Sequence, residues 1–168
     1  MPEPNYLRKN TEIVKGNELW LFIGTTSATK PTCFAMQHSL NRSLSLTDVS
    51  TKDSGDAQSS IPGESSWTAS TEALIAINNS DQNAMDFVEI MDAYDTKAPV
   101  YVTFGKLSNY NPNGIVDKDD AQEWAIGTPN WTGKGYINSL QASGNHGDSA
   151  TYSIEITGIG PLTKNTTP

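Results

Sequence analysis

The sequence predicts a mainly-β domain. The expected form is a small β-sandwich or barrel with one α-helix, about 81–95, and a long strand-connecting loop, 48–65. Three observations predict it. Polar and apolar residues alternate with period two in several short stretches, as half-buried strands require. Turn residues punctuate the chain at the 8–12-residue spacing of sandwiches and barrels. One stretch alone carries a convincing 3.6-residue apolar period.

Residues 1–15 are polar, carry two prolines, and read as a flexible arm ahead of a β domain at 16–162, with 163–168 as a C-terminal tail. Leu19-Trp20-Leu21-Phe22-Ile23 is apolar throughout and too short for a helix, so it predicts a strand buried on both faces. Thr25–Pro31 reads as a turn, and Thr32–Gln37 as the hairpin partner of that first strand. From Ser39 to Thr47, Leu40, Leu44 and Leu46 fall on one face and serines, Asn41 and Thr47 on the other. After the long polar loop, Ser66–Ile77 resumes as a strand with Thr68, Ser70 and Glu72 on its polar face. Hairpin loops usually have two to five residues, so a connection of this length points to function.

Asn78-Asn79-Ser80 breaks the strand, and Ser80 or Asp81 is a suitable helix N-cap. Ala84, Phe87, Val88, Met91 and Tyr94 then form the helix's apolar stripe, with Lys97 and Pro99 ending it. Val100–Phe104 alternates as a strand, and 107–120 is a loop rich in Asn, Pro, Gly and Asp. Trp124–Ile126 reads as a short strand, Gly127–Asn130 as its turn, and Trp131–Ala142 as the next strand. Gly133 and Gly135 there predict a bulge or a close backbone approach. Ser143–Asp148 is a turn cluster. In the last strand Ala150, Tyr152, Ile154 and Ile156 face inward and Thr151, Ser153, Glu155 and Thr157 outward, until Gly158-Ile159-Gly160-Pro161 stops it.

The chain has 168 residues, room for one domain with a real core. Nineteen acids against eleven bases give a net charge of −8, which disfavours binding to nucleic acid, since phosphate affinity needs Lys and Arg. The lone cysteine, Cys33, lies in an apolar run and reads as a buried structural thiol. No stretch approaches the roughly 20 apolar residues of a membrane-spanning helix. The constellations of catalysis are missing. His38 and His146 are far apart, without ligand spacing around them. Asp117-Lys118-Asp119-Asp120 lacks the glycine and terminal glutamate of a calcium loop. Gly133-Lys134-Gly135 is neither a dinucleotide fingerprint nor a P-loop. Asp53 and Asp56 have nothing apolar beside them to raise a pKa. The expectation is a non-enzyme with no catalytic residue, cofactor or metal.

The order of elements resembles a known family. Leu19–Ile23 is followed by the Ser/Leu alternation, Thr51-Lys52-Asp53-Ser54-Gly55, Ile61-Pro62-Gly63 and Ser66-Trp67. The chain closes with Gly135-Tyr136-Ile137-x-Ser139-Leu140, Gly147-Asp148-x-Ala150-Thr151-Tyr152-Ser153 and Thr157-Gly158-x-Gly160-Pro161-Leu162. Over roughly 15–163 this is similar to the major tail tube proteins of long-tailed bacteriophages. The loop 107–120 has no counterpart in that pattern.

The resemblance implies a virion tail protein that assembles with itself, as hexameric rings stacked into a hollow tube that delivers the genome. Neighbouring strands then join into an inner barrel around a channel. Its implied partners are a tail-tip or baseplate initiator, a tail terminator, the tape measure protein, and genomic DNA passing without specific binding. No membrane is involved, and assembly is expected in the host bacterial cytoplasm. Thr51, Lys52, Asp53, Ser54, Gly55, Asp56, Ile61 and Pro62 are the expected subunit-interface residues. Ser43, Ser45, Thr68, Ser70 and Glu72 are the candidates for the channel wall. Two alternatives stay open: an inner tube subunit of a contractile injection system, and a carbohydrate-binding β-sandwich in which Trp67, Trp124 or Trp131 stacks on sugar rings.

Overall fold

A computed structural model describes residues 13–77, 84–114 and 124–167. Seven strands form one sheet: β1 (Leu19–Gly24), β2 (Lys30–Pro31), β3 (Ala35–Asp48), β4 (Ser60–Leu74), β5 (Val100–Leu107), β6 (Ile126–Ser143) and β7 (Thr151–Asn165). One helix, α1 (Phe87–Asp95), lies between β4 and β5 in the chain. The sheet order is β2-β1-β5-β6-β7-β4-β3, and every ladder is antiparallel. Among the described residues the fold is mainly β with one α-helix, as the sequence predicts.

The sheet curls on itself. Laid flat, β1 and β3 stand five strand steps apart, about 24 Å at ~4.8 Å per step. Instead, the Trp20 ring of β1 lies 5.2 Å from the His38 ring of β3, centroid to centroid. That seam makes the sheet barrel-like. Its inner face buries Leu21, Ile23, Val100, Val102, Trp67, Ala69, Ala73, Ile137, Tyr152, Ile154 and Ile156. Helix α1 covers part of this core with Ile90 and Ala93, and its Phe87 ring packs 5.1 Å from Tyr152.

Several boundaries differ from the expected ones, each for a non-local reason. The helix begins at Phe87, because Met85 is held in an extended segment: Met85 N–H donates to Pro31 O, and Cys33 N–H donates to Met85 O. Asp86 is therefore the cap, and Ser80 and Asp81 lie outside the described residues. The buried helical positions are Ile90 and Ala93, while Val88 and Tyr94 are exposed, so the apolar stripe is rotated from the expected one. Lys97, at φ 54°, ends the helix, and Ala98 N–H donates back to Ala93 O, satisfying an orphan carbonyl.

The hairpin partner of β1 is the two-residue β2; Thr32 leaves it to bridge Met85, and Ala35–Gln37 instead opens β3 against β4. Strand β4 ends at Leu74, so Ile75–Ile77 is not strand. Strand β6 runs unbroken through the expected turn at Gly127–Asn130, with Thr128–Pro129 cis. Strand β7 likewise passes through Gly158–Pro161 and continues to Asn165, because pairing with the early part of β6 sustains it. The connection 48–65 shortens to 49–59: Asp48 pairs with Ser60, and Ile61 and Pro62 are strand residues of β4. Cys33 is half-buried rather than fully buried.

Candidate functional site

The face of the sheet opposite the core is a continuous polar surface across β3, β4, β7 and β6. Register fixes its members. Gln37, Ser39, Asn41 and Ser43 on β3 pair with Glu72, Ser70, Thr68 and Ser66 on β4. Glu72, Ser70 and Thr68 in turn pair with Ser153, Glu155 and Thr157 on β7, and Glu155 and Ser153 pair with Ser139 and Gln141 on β6. Cross-strand partners lie on the same side of a sheet. Two short hydroxyl pairs verify the side here: Ser39 Oγ to Ser70 Oγ at 2.6 Å, and Ser43 Oγ to Ser66 Oγ at 2.7 Å. Ser45 follows Ser43 by two residues, beside the β-bulge between Leu44 and Leu46, and its hydroxyl donates to Glu64 O at 3.0 Å.

Ser43, Ser45, Thr68, Ser70 and Glu72 are thus brought together on β3 and β4. The positions named above include two carboxylates, Glu72 and Glu155, while further along β6 the same face carries Tyr136, paired with Thr157, and Lys134, whose ammonium lies over the Tyr101 ring. Alternation along 151–157 marks Glu155 as outward-facing. Only register puts it on the strand beside Ser70 and one pair from Glu72.

The second surface is a projecting hairpin. The β4–β7 ladder stops at the Thr68–Thr157 pair, whereas β3 and β4 stay paired out to Asp48 and Ser60. Every residue of 60–66 and 41–48 is exposed. The expected half-burial of the Leu40, Leu44, Leu46 face therefore holds only at Leu40. Leu44 is 53 % and Leu46 65 % exposed, because among the described residues no third strand or helix lies behind them. Val49 and Ile61 are also exposed on this arm. Asp48 opens the tip by accepting from Ser50 N–H at 2.8 Å, and bonding from Ser50 holds its carboxyl below the usual range.

Lys52–Ser54 is a single 3-10 turn, closed by Thr51 N–H donating to Ser54 Oγ at 3.1 Å. Gly55 sits at φ 62° in the left-handed region, which glycine tolerates without a side-chain clash. Thr51, Lys52, Asp53, Ser54, Gly55 and Asp56 are therefore together at the tip. Ile61 and Pro62 lie on the stem. What sequence reading missed is that the stem itself stands clear of the body with aliphatic side chains uncovered.

Trp67, Trp20 and Trp124 are engaged within the fold. Trp67 is 4 % exposed. Trp124 stacks on Tyr110 at 5.8 Å and 17°, and lies 6.0 Å from Trp20. These three rings line an open groove of about 490 Å³ beside the start of β3. His38 is largely buried in the seam. The Thr71 hydroxyl donates to Gln37 O at 3.1 Å, so His38 Nδ1, 2.9 Å from that oxygen, acts as the donor to it. Burial pushes the imidazole pKa down to about 4. Among the described residues, no group of three or more His, Cys, Asp or Glu is placed to hold a metal ion. Asp117–Asp120 lies outside the described residues.

The sequence pattern of a phage tail tube protein family matches residues 13–164. No curated protein sequence matches. Among solved structures, the chain is similar to the tail of an empty gene transfer agent particle refined with C6 symmetry, at TM-score 0.68 and 12% identity, over 92% of this chain and 100% of that one. It is similar to the SPP1 tail tube at TM-score 0.64 and 12% identity, over 92% and 80%. The sixfold-symmetrised baseplate of the anti-feeding prophage gives TM-score 0.59 at 9% identity, over 94% and 98%. At these identities the likeness is one of fold.

Proposed function

The chain belongs to the phage tail tube protein family, and we propose that its copies assemble as hexameric rings stacked into a tube whose acidic channel passes the genome. The observation that carries this reading is the polar face of β3, β4, β7 and β6. It is rich in hydroxyls and amides and carries Glu72 and Glu155. Facing a channel, the carboxylates of such a surface repel phosphate at short range. Ring closure would also cover the long edge of β3, which otherwise leaves a row of unpaired backbone groups for aggregation. Sixfold symmetry in the gene transfer agent tail and the anti-feeding prophage baseplate supports the ring number.

In this reading the protein is a structural component of the virion tail, assembled in the host cytoplasm on a tip or baseplate initiator. A terminator ends the tube, and the tube encloses first the tape measure protein and then DNA. The 48–65 stretch bridges to adjacent subunits through Thr51, Lys52, Asp53, Ser54, Gly55, Asp56, Ile61 and Pro62. Sugar stacking by Trp67 is disfavoured, since its ring is buried.

Electron microscopy of the purified protein across a concentration series, with and without tail-tip complexes, tests the assembly. Hollow tubes are expected, and a monomer that fails to extend on tips would reject it. For the channel, Glu72→Lys with Glu155→Lys is expected to assemble normally but to slow DNA ejection. Ejection at the unaltered rate would remove these residues from the wall.

A further inference from the structure

We infer that Trp67 is a positioning residue: its indole, seated in a glycine cradle on β6 and β7, sets the direction in which the β3–β4 hairpin leaves the body. The ladder between β4 and β7 ends at Thr68. Trp67 is the next residue outward and the last buried one, since Ser60–Ser66 and their β3 partners are all exposed. Beyond this point the arm is a two-stranded ribbon. Such ribbons twist more than wider sheets and are marginally stable alone. Its direction must therefore be fixed at the root.

The root is built for one ring. A Cβ at Gly158 would lie 2.0 Å from the Trp67 indole, and one at Gly133 2.6 Å from it, so both strands meet the ring with bare backbone. The indole Nε1–H donates to Gly160 O at 2.9 Å. Gly160 holds φ 71°, a conformation that favours glycine, and this aims its carbonyl region at the ring beyond the last β4–β7 pair. Three backbone sites on two strands thus bound one flat, rigid side chain. Its cross-strand partner, Arg42, is exposed and offers no comparable anchor.

The lever arm makes this control consequential. Seven residues from Ser60 to Ser66 span about 23 Å at ~3.3 Å per residue, so a swing of about 10° at the root displaces the tip by about 4 Å. That approaches one strand spacing, enough to miss a neighbour's register. The consequence for a neighbouring copy rests on the tube reading; the positioning itself does not.

The test uses the full chain with Cys33→Ser, spin-labelled through Thr47→Cys on the stem and Gln141→Cys on β6. Pulsed electron-electron distance distributions are compared with and without Trp67→Phe, which keeps an aromatic ring but loses the N–H and the second ring. Ile156→Val serves as a core control. The expected result is a broadened and shifted distribution for Trp67→Phe at a temperature where circular dichroism shows the body folded, with the control unchanged. A Trp67→Phe distribution superimposable on the parent would overturn the inference, as would equal broadening in Ile156→Val. Neither outcome depends on whether tubes form.

Discussion

His38 shows how a single side chain ties closure of the fold to pH. It sits where the sheet's second and last strands meet, between the Trp20 ring and the Thr71 hydroxyl, neither of which is charged. Burial lowers its pKa from 6.5 to about 4. In the unfolded chain the ring takes up a proton below about pH 6.5, whereas the folded protein does not until about pH 4. This contribution to stability is thus complete above pH 6.5 and is lost as pH falls through that window. At 1.36 kcal/mol per pKa unit the loss amounts to at most about 3 kcal/mol. Urea unfolding of His38→Asn should lose less stability than the parent between pH 7 and pH 4; parallel losses would show that the ring does not titrate this way. From sequence, His38 read only as an isolated histidine. Its partners are 18 residues before it and 33 after it, and nothing local announces them.

Helix α1 shows what an element's own sequence can and cannot specify. Its existence follows from local period, and so does its end, where Lys97 and Pro99 stop it. Its start does not. Ser80 and Asp81 are chemically sound caps, but backbone bonds from Met85 to Pro31 and Cys33 hold the chain extended until Asp86. Asp86 then forms a reciprocal cap: Glu89 N–H donates to Asp86 Oδ1 at 2.9 Å, and Asp86 N–H to Glu89 Oε2 at 3.2 Å. Asp86→Ala should cost about 1–2 kcal/mol, measurable as a lower urea midpoint with unchanged slope. Asp86→Asn keeps an acceptor and should recover much of that. No difference between the two variants would mean that the cap is not what the carboxylate contributes. Strands β6 and β7 carry the same lesson: cross-strand partners sustain them through Pro129 and Pro161, where local turn signals predict a break.

At the scale of the whole molecule, a barrel-like body presents one broad polar face and extends one exposed arm. Replacing 50–58 by Asn-Gly, the short type I′ connection, should leave the body folded and its unfolding midpoint nearly unchanged, since the tip contributes no buried residue. The shortened protein should fail to form tubes under conditions where the parent does; normal tubes would assign the arm no part in assembly. The sequence by itself determined the mainly-β class, the polar faces of 39–47 and 68–72, the outward set of 151–157, the close-approach glycines and the family, because period and turn chemistry are local. The tertiary structure alone decided that Glu155 shares a face with Glu72, that Trp67 fills the space left by Gly133 and Gly158, and that Leu44 and Leu46 face solvent. Alternation says which residues share a side of one strand, whereas burial depends on what lies behind that side, and only the pairing of distant strands settles that.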